Sequence, residues 1–212
     1  MKTSVKTLFA SALTVIVLST SAFTSVAANQ SENFSELSTT IDFNKVVITG
    51  NVNVELIQSE KQRVVIYEAY NKNLTTVTQK GDKLFINSKE DEPIHITVYV
   101  KDLQRIDASN RVSVITRGRF ASNVLQVFLQ DNAKAYVSGD IGSLYTLVKD
   151  RSELKLKGTS KDHVSVKSKV AKLNTVQFAS LKTTGTVDGE ESVQEYALTV
   201  TKDSVIAKSI NR

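Results

Sequence analysis

From Phe43 onward, apolar and polar residues alternate with a period of two, interrupted at short intervals by polar clusters or a glycine. In NVNVELIQ (51–58), Val52, Val54 and Leu56 fall on one side and Asn53 and Glu55 on the other. That is the mark of a half-buried strand. FNKVVITG (43–50), QRVVIYEA (62–69) and IHITVYV (94–100) read as further strands, the last burying Ile94, Ile96, Val98 and Val100. LTTVTQKGDKLFINS (74–88) carries Gly81-Asp82 near its centre and predicts a hairpin. Pro93 stands at the start of a strand, where a missing N–H is tolerated. No 3.6-residue apolar period persists for three turns after the N-terminal segment, so no helix is predicted there.

Beyond residue 101 the alternation repeats. Val112, Ala133 and Leu154 are 21 residues apart, Val114, Ala135 and Leu156 follow two positions later, and Ile106, Val127 and Val148 precede them by six. Gly118 and Gly139 keep the interval, while Gly158 arrives two residues early, as a shortened corner allows. Looser echoes place Leu181 and Val205 in the role of Leu154, at intervals of 27 and 24 residues. One such unit cannot bury its apolar residues alone, but stacking the next about 4.8 Å above pairs the backbone and covers that face. The pattern predicts a β-solenoid. An antiparallel sandwich or meander also gives short alternating strands, but no equal steps.

The N-terminal segment reads as an address. Lys2 and Lys6 precede the apolar run LFASALTVIVL (8–18), and small residues follow it. The run is shorter than the ~20 residues a spanning helix needs, so residues 1–27 are expected to be a signal peptide cleaved near Ala28 or Asn29, rather than a retained anchor. Residues 28–40 are polar and aperiodic, a flexible leader to one domain over 41–212. The chain contains no cysteine, which excludes disulfides, thiolate metal sites, a cysteine nucleophile and lipid attachment at a cysteine. The net charge of +5 is spread through mixed-sign stretches rather than gathered in a stripe, so nucleic acid is not an expected partner.

The opening FNKVVITGNVNVELIQSEKQRVVIY, the GDKLFINS hairpin, HITVYVKDLQRIDASNRVSV and the repeated units together resemble the head GIN domain family of auto-transporter adhesins, over roughly residues 41–210. The resemblance implies an exported envelope protein with a right-handed parallel β-helix-like fold, and brings no catalytic residues with it. Family members usually carry small residues or glycine just before the apolar pair of each unit. This chain has Asn110-Arg111, Asp131-Asn132 and Ser152-Glu153 instead.

The corner clusters ASN, QDN, KDRS and TKDS could stack oxygens from Asn110 and Asp131 into a calcium ladder. Turn chemistry explains them better, because Asn, Asp and Ser bond their own backbone and tolerate the left-handed region. Asp107, Asp131, Asp150, Arg111 and Arg151 are the pieces available to a carbohydrate-active enzyme, with no spacing that pairs an acid and a base. His95 and His163 have no metal-ligand spacing and read as surface histidines. Phe128, Tyr136 and Tyr145 are the better binding hint, since they fall in one repeat and its following corner while Phe128 aligns with Asp107 and Lys149, and Tyr136 with Ile115 and Lys157.

The resulting expectation is an all-β chain, a right-handed parallel β-solenoid preceded by hairpin-rich strands. It is exported to periplasm, cell surface or medium, without catalytic residues, cofactor or metal, and without stable membrane insertion once the signal is removed. Phe128, Tyr136 and Tyr145 form its candidate binding surface, for a glycan or an envelope or host surface protein. A structural or accessory envelope protein without a small ligand is the alternative, and a carbohydrate-active β-helix enzyme a further one.

Overall fold

Each alternating segment becomes a strand. The computed structural model describes residues 35–38, 42–118, 120–188, 190–201 and 204–209, so the expected signal peptide lies outside the described residues. The strands are β1 (Ser35–Ser38), β2 (Lys45–Gly50), β3 (Val52–Gln58), β4 (Arg63–Ile66), β5 (Thr75–Lys80), β6 (Lys83–Ser88), β7 (Ile94–Val100) and β8 (Arg105–Asn110). They continue as β9 (Ser113–Arg117), β10 (Ala121–Leu129), β11 (Lys134–Val148), β12 (Glu153–Lys167), β13 (Lys172–Val187), β14 (Glu190–Thr201) and β15 (Ser204–Ser209). No helix occurs among the described residues. Inside the expected leader, Ser35–Ser38 pairs antiparallel with β4.

The repeats stack in parallel, and their register differs from the equal steps that the sequence suggests. Val127 pairs with Ile106, 21 residues before it, but Thr146 pairs with Val127 and Ser165 with Thr146 at steps of 19, and Gly185 with Ser165 at 20. Ala135 therefore lies between Val114 and Leu154, not Leu156, and Leu154 continues to Leu173. The shortened corner is real but sits earlier than Gly158. Ile115 pairs with Tyr136 and Ser122 with Ile141, so seven residues in one layer match five in the next. Gly158 then pairs directly with Gly139. A slip of two residues leaves every side chain on its own face, which is why the inward positions Val112, Val114, Ala133, Ala135, Leu154 and Leu156 are all buried.

The later echoes do not continue the column of Leu154. Leu181 lies in β13, a further parallel layer in which Leu173 takes that place, and is itself 45 % exposed, while Val205 belongs to β15, which pairs antiparallel with β14 as β14 does with β13. At the other end, the N-terminal strands join the parallel stack out of chain order. Beyond the β5–β6 hairpin and the antiparallel β4–β7 pair, β2 lies in parallel between β6 and β8, and β3 in parallel between β7 and β9. Residues 45–58 are thus sandwiched between the layers formed by 83–100 and 105–117. Interior columns run through the stack, as in Leu84, Val46, Ile106 and Val127, all at most 1 % exposed. Each such side chain contributes about 1.5–3 kcal/mol of burial. Thr146 and Ser165 continue that column with smaller, polar groups.

A register test uses outward positions of this cysteine-free chain. Lys134 pairs with Glu153, so Lys134→Cys with Glu153→Cys places two Cα atoms about 4.8 Å apart, within disulfide reach. Lys134→Cys with Lys155→Cys, the pair implied by a 21-residue step, separates them beyond the roughly 7 Å limit. Mild oxidation should crosslink the first pair and leave the second reduced. Efficient bonding of the second pair instead would contradict the 19-residue register.

Candidate functional site

The pleat that turns Ile106 and Val127 inward turns their neighbours outward. On the sheet formed by β6, β2, β8, β10, β11 and β12, register brings Phe85, Val47, Asp107, Phe128, Leu147 and Val166 into one outward row. All are half-buried by their neighbours. The adjacent row, one pleat away, reads Lys83, Lys45, Arg105, Gln126, Tyr145 and Val164. Phe128 leans toward this second row. Its ring centroid lies 5.6 Å from that of Tyr145, tilted by 41°, and the Arg105 guanidinium carbon sits 4.0 Å from the Phe128 centroid. Arg105 also donates from Nε and Nη2 to both carboxylate oxygens of Asp107, at 2.8 and 3.2 Å. On the other side of Phe128, toward Val47 and Leu147, a cavity of about 310 Å³ opens, with Lys149 on its rim.

Of the three aromatics singled out from the sequence, the fold brings two together. Tyr136 lies past the corner at Asp131, where its row neighbours are Ile115 and Lys155, and the Lys155 ammonium sits 5.6 Å from its ring. Among the described residues no ring contact joins it to Phe128 or Tyr145. The expected neighbours Lys149 for Phe128 and Lys157 for Tyr136 are replaced by Leu147 and Lys155 in the observed register. Sequence reading missed the further apolar members Val47, Phe85, Leu147 and Val166, because an outward Val, Leu or Phe looks like any strand residue until its row is known. It also missed Tyr99, which carries Arg63 at 3.8 Å and whose hydrogen bond with exposed Tyr67 raises the Tyr67 pKa.

One oxygen of each corner carboxylate is engaged by a backbone N–H. Asn110, Asp131 and Asp150 have φ of 67°, 63° and 54°, the left-handed region that these residue types tolerate. Asp131 accepts the N–H of Asn110, and Asp150 that of Asp131, each at 3.0 Å. Asp188 accepts the N–H of Lys169 at 2.9 Å in the same manner. Each carboxylate thus ties one layer's corner to the next through one of its oxygens, a use that turn chemistry accounts for. The corner TKDS includes residues outside the described ones. Among the described residues no three His, Cys, Asp or Glu side chains gather as a metal would require. Asp107, the remaining acid of the enzyme hypothesis, is held by Arg105.

The sequence matches the family described as "Putative auto-transporter adhesin, head GIN domain" over residues 42–206. The chain belongs to this family. No curated relative matches it. Among solved structures, a "putative adhesin" from Bacteroides fragilis NCTC 9343 superposes with a TM-score of 0.57 at 17% identity, covering 74% of this chain and 79% of that one. A "putative adhesin" from Parabacteroides merdae ATCC 43184 gives 0.55 at 14%, covering 73% and 76%. A "putative lipid binding protein" from Parabacteroides distasonis ATCC 8503 gives 0.51 at 15%, covering 73% and 78%. At such identities the likeness carries the fold alone.

The histidines of this head GIN domain part company. His95 is exposed, with Nδ1 3.4 Å from Glu68 Oε1, as a surface histidine should be. His163 is not a surface residue. It is 2 % exposed, its Nε2 lies 3.0 Å from the Thr146 hydroxyl, and Phe178 meets its ring edge-on at 5.5 Å. Burial lowers its pKa to about 4. The reason is register: a 21-residue step sets His163 against Gly142, whereas the observed pairing sets it against buried Leu144.

Proposed function

We propose that this head GIN domain is an exported cell-envelope protein that binds without catalysing, as an adhesion module working through the outward face of its parallel stack. In this reading residues 1–27 are a cleaved signal peptide, 41–212 form a right-handed β-solenoid domain, and the protein acts in the periplasm, at the cell surface or in the medium. The partner is a glycan or a surface protein, and no cofactor takes part. The observation that supports it is the row of Val47, Phe128, Leu147 and Val166 flanked by Tyr145 and by Val164, itself 40 % exposed. Phe128, Leu147 and Val166 stand in three consecutive layers, with Val47 beyond Asp107, and make an apolar patch where strand alternation alone would place polar groups. Membership in an adhesin family supports the same role. Tyr136 with Lys155 forms a second, separate contact point.

Retention of the purified domain on intact envelope, or on arrayed glycans, tests this. Tyr145→Ala combined with Val164→Ser should weaken retention at least about tenfold, the range of a truncated aromatic anchor, with melting temperature lowered by only a few degrees. Tyr136→Ala should weaken it less, and chelator should change nothing. Undiminished retention in the double variant would remove this face from consideration.

A further inference from the structure

Pairing of the layers gathers charge that the sequence scatters. The outward positions of residues 134–138, 153–157 and 172–177 form one face over three consecutive layers. Register sets Lys134, Glu153 and Lys172 in one row. Tyr136, Lys155 and Asn174 make the next row, and Ser138, Lys157 and Gln177 the third. Four lysines stand there against one carboxylate, that of Glu153. All four are exposed, and among the described residues none of them joins an ion pair. Elsewhere on these layers opposite charges meet. Farther along the same strands, exposed Asp162 and Lys182 stand in register with each other. At the corners leading into the face, Asp131 and Asp150 are matched by Arg111 and Arg151. In β9, Arg117 is bound to Glu55. Unmatched positive charge therefore concentrates on this face.

The rows set its scale. Lys134 and Lys172, two layers apart, are separated by about 10 Å at Cα, and Lys155 and Lys157, on one strand, by about 7 Å. Ser138, Asn174 and Gln177 place hydroxyl and amide groups between the ammonium groups. The half-buried Tyr136 ring lies among them, with the Lys155 ammonium 5.6 Å from its centroid. Ammonium groups suit carboxylates, and amides and hydroxyls suit the hydroxyls of a sugar. Other polyanions fit less well. A nucleic-acid site engages about 6–10 phosphates, more than four lysines can meet. An acidic peptide adds to an open sheet edge. Here β11 lies between β9 and β12, and β12 between β11 and β13, so this face offers no edge in either strand.

We infer that this face binds a linear polysaccharide carrying a carboxylate on successive or alternate sugars. Its carboxylates meet the four lysines, and its hydroxyls meet the amide and hydroxyl side chains between them. The inference rests on the glycan form of the proposed adhesion role and names the class of glycan taken at the second contact point, Tyr136 with Lys155.

Titration calorimetry on the full domain tests it with a short oligogalacturonate, its fully methyl-esterified form, and an oligonucleotide and a polyglutamate peptide of the same charge. The oligogalacturonate should bind at least about tenfold more tightly than its neutral ester and more tightly than either other polyanion, and should weaken as salt is raised. Lys155→Gln combined with Lys157→Gln should weaken it at least about fivefold, as the loss of two exposed ion pairs allows, with melting temperature held within a few degrees. Lys80→Gln with Lys89→Gln removes the same charge from exposed positions around the β5–β6 hairpin. That hairpin lies four strands from β11 in the sheet, about 20 Å away, so screening should hold the change below about twofold. Equal binding of the ester would overturn the inference. So would tighter binding of the oligonucleotide or the peptide, or equal effects of the two double variants. If the oligogalacturonate fails to bind while retention on envelope still depends on Tyr145 and Val164, the inference falls and the adhesion reading stands. Loss of that dependence too would remove both.

Discussion

Gly50→Ala is expected to destabilise the domain by on the order of 4 kcal/mol, a loss reserved for backbone collisions and similar lesions. Gly50 closes β2 at φ 94°, outside the left-handed well that Asn and Asp accept. A Cβ built there would stand 1.8 Å from the carbonyl oxygen of Ser88 in the neighbouring layer. Neither atom can yield, because Gly50 pairs with both Ser88 and Asn110, and Asn51 N–H donates to the same Ser88 carbonyl at 3.0 Å. Gly81→Ala is the control. Gly81 has φ 58° with nothing within 4 Å of a built Cβ, so only the local cost of about 1–2 kcal/mol applies. Urea unfolding of both variants checks the contrast. Similar losses at the two sites would mean that the close approach of the layers at Gly50 is not there.

Acid should reveal His163. Its folded pKa of about 4 lies below the ordinary value of 6.5 because burial disfavours the charged ring. Between those limits the unfolded chain binds a proton that the folded one refuses, so stability rises with pH. The contribution is complete above about pH 6.5 and is lost as pH falls toward 4, amounting to about 2–3 kcal/mol by pH 4.5. His163→Leu removes this component while leaving the carboxylates untouched. Unfolding free energies at pH 7 and 4.5 should fall further in the unaltered protein than in His163→Leu, by that amount. Parallel losses would show that the ring reaches water on protonation.

Much of the architecture was open to reading along the chain because its determinants are local. Alternation at Val52, Val54 and Leu56 and at Ile94 through Val100 marks strands whichever neighbours they find, and those side chains are buried. Asn110 and Asp131 mark corners because their left-handed φ is a property of the residue. The parallel repeat was visible as periodicity, and the Gly81-Asp82 turn as a dipeptide between matched strands.

Register was less accessible. A strand has period two, so alignments at 19 and 21 residues satisfy the apolar pattern equally. Only packing at the corner after Tyr136 chose between them. That choice moved His163 beneath Leu144 and Phe128 beside Leu147.

What the sequence by itself determined is the all-β character, the face of each strand side chain and the places where the chain turns, since each follows from one residue and its immediate neighbours. What only the tertiary structure decided is which strands touch. It placed β2 and β3 between layers made of residues 38 and more positions away, carried Tyr136 away from Phe128 and Tyr145, and aligned Val47 with residues of β8 and β10 to make a groove. Those outcomes depend on backbone pairing between distant segments, whose hydrogen bonds are alike for every residue and so leave no trace in the order of the side chains.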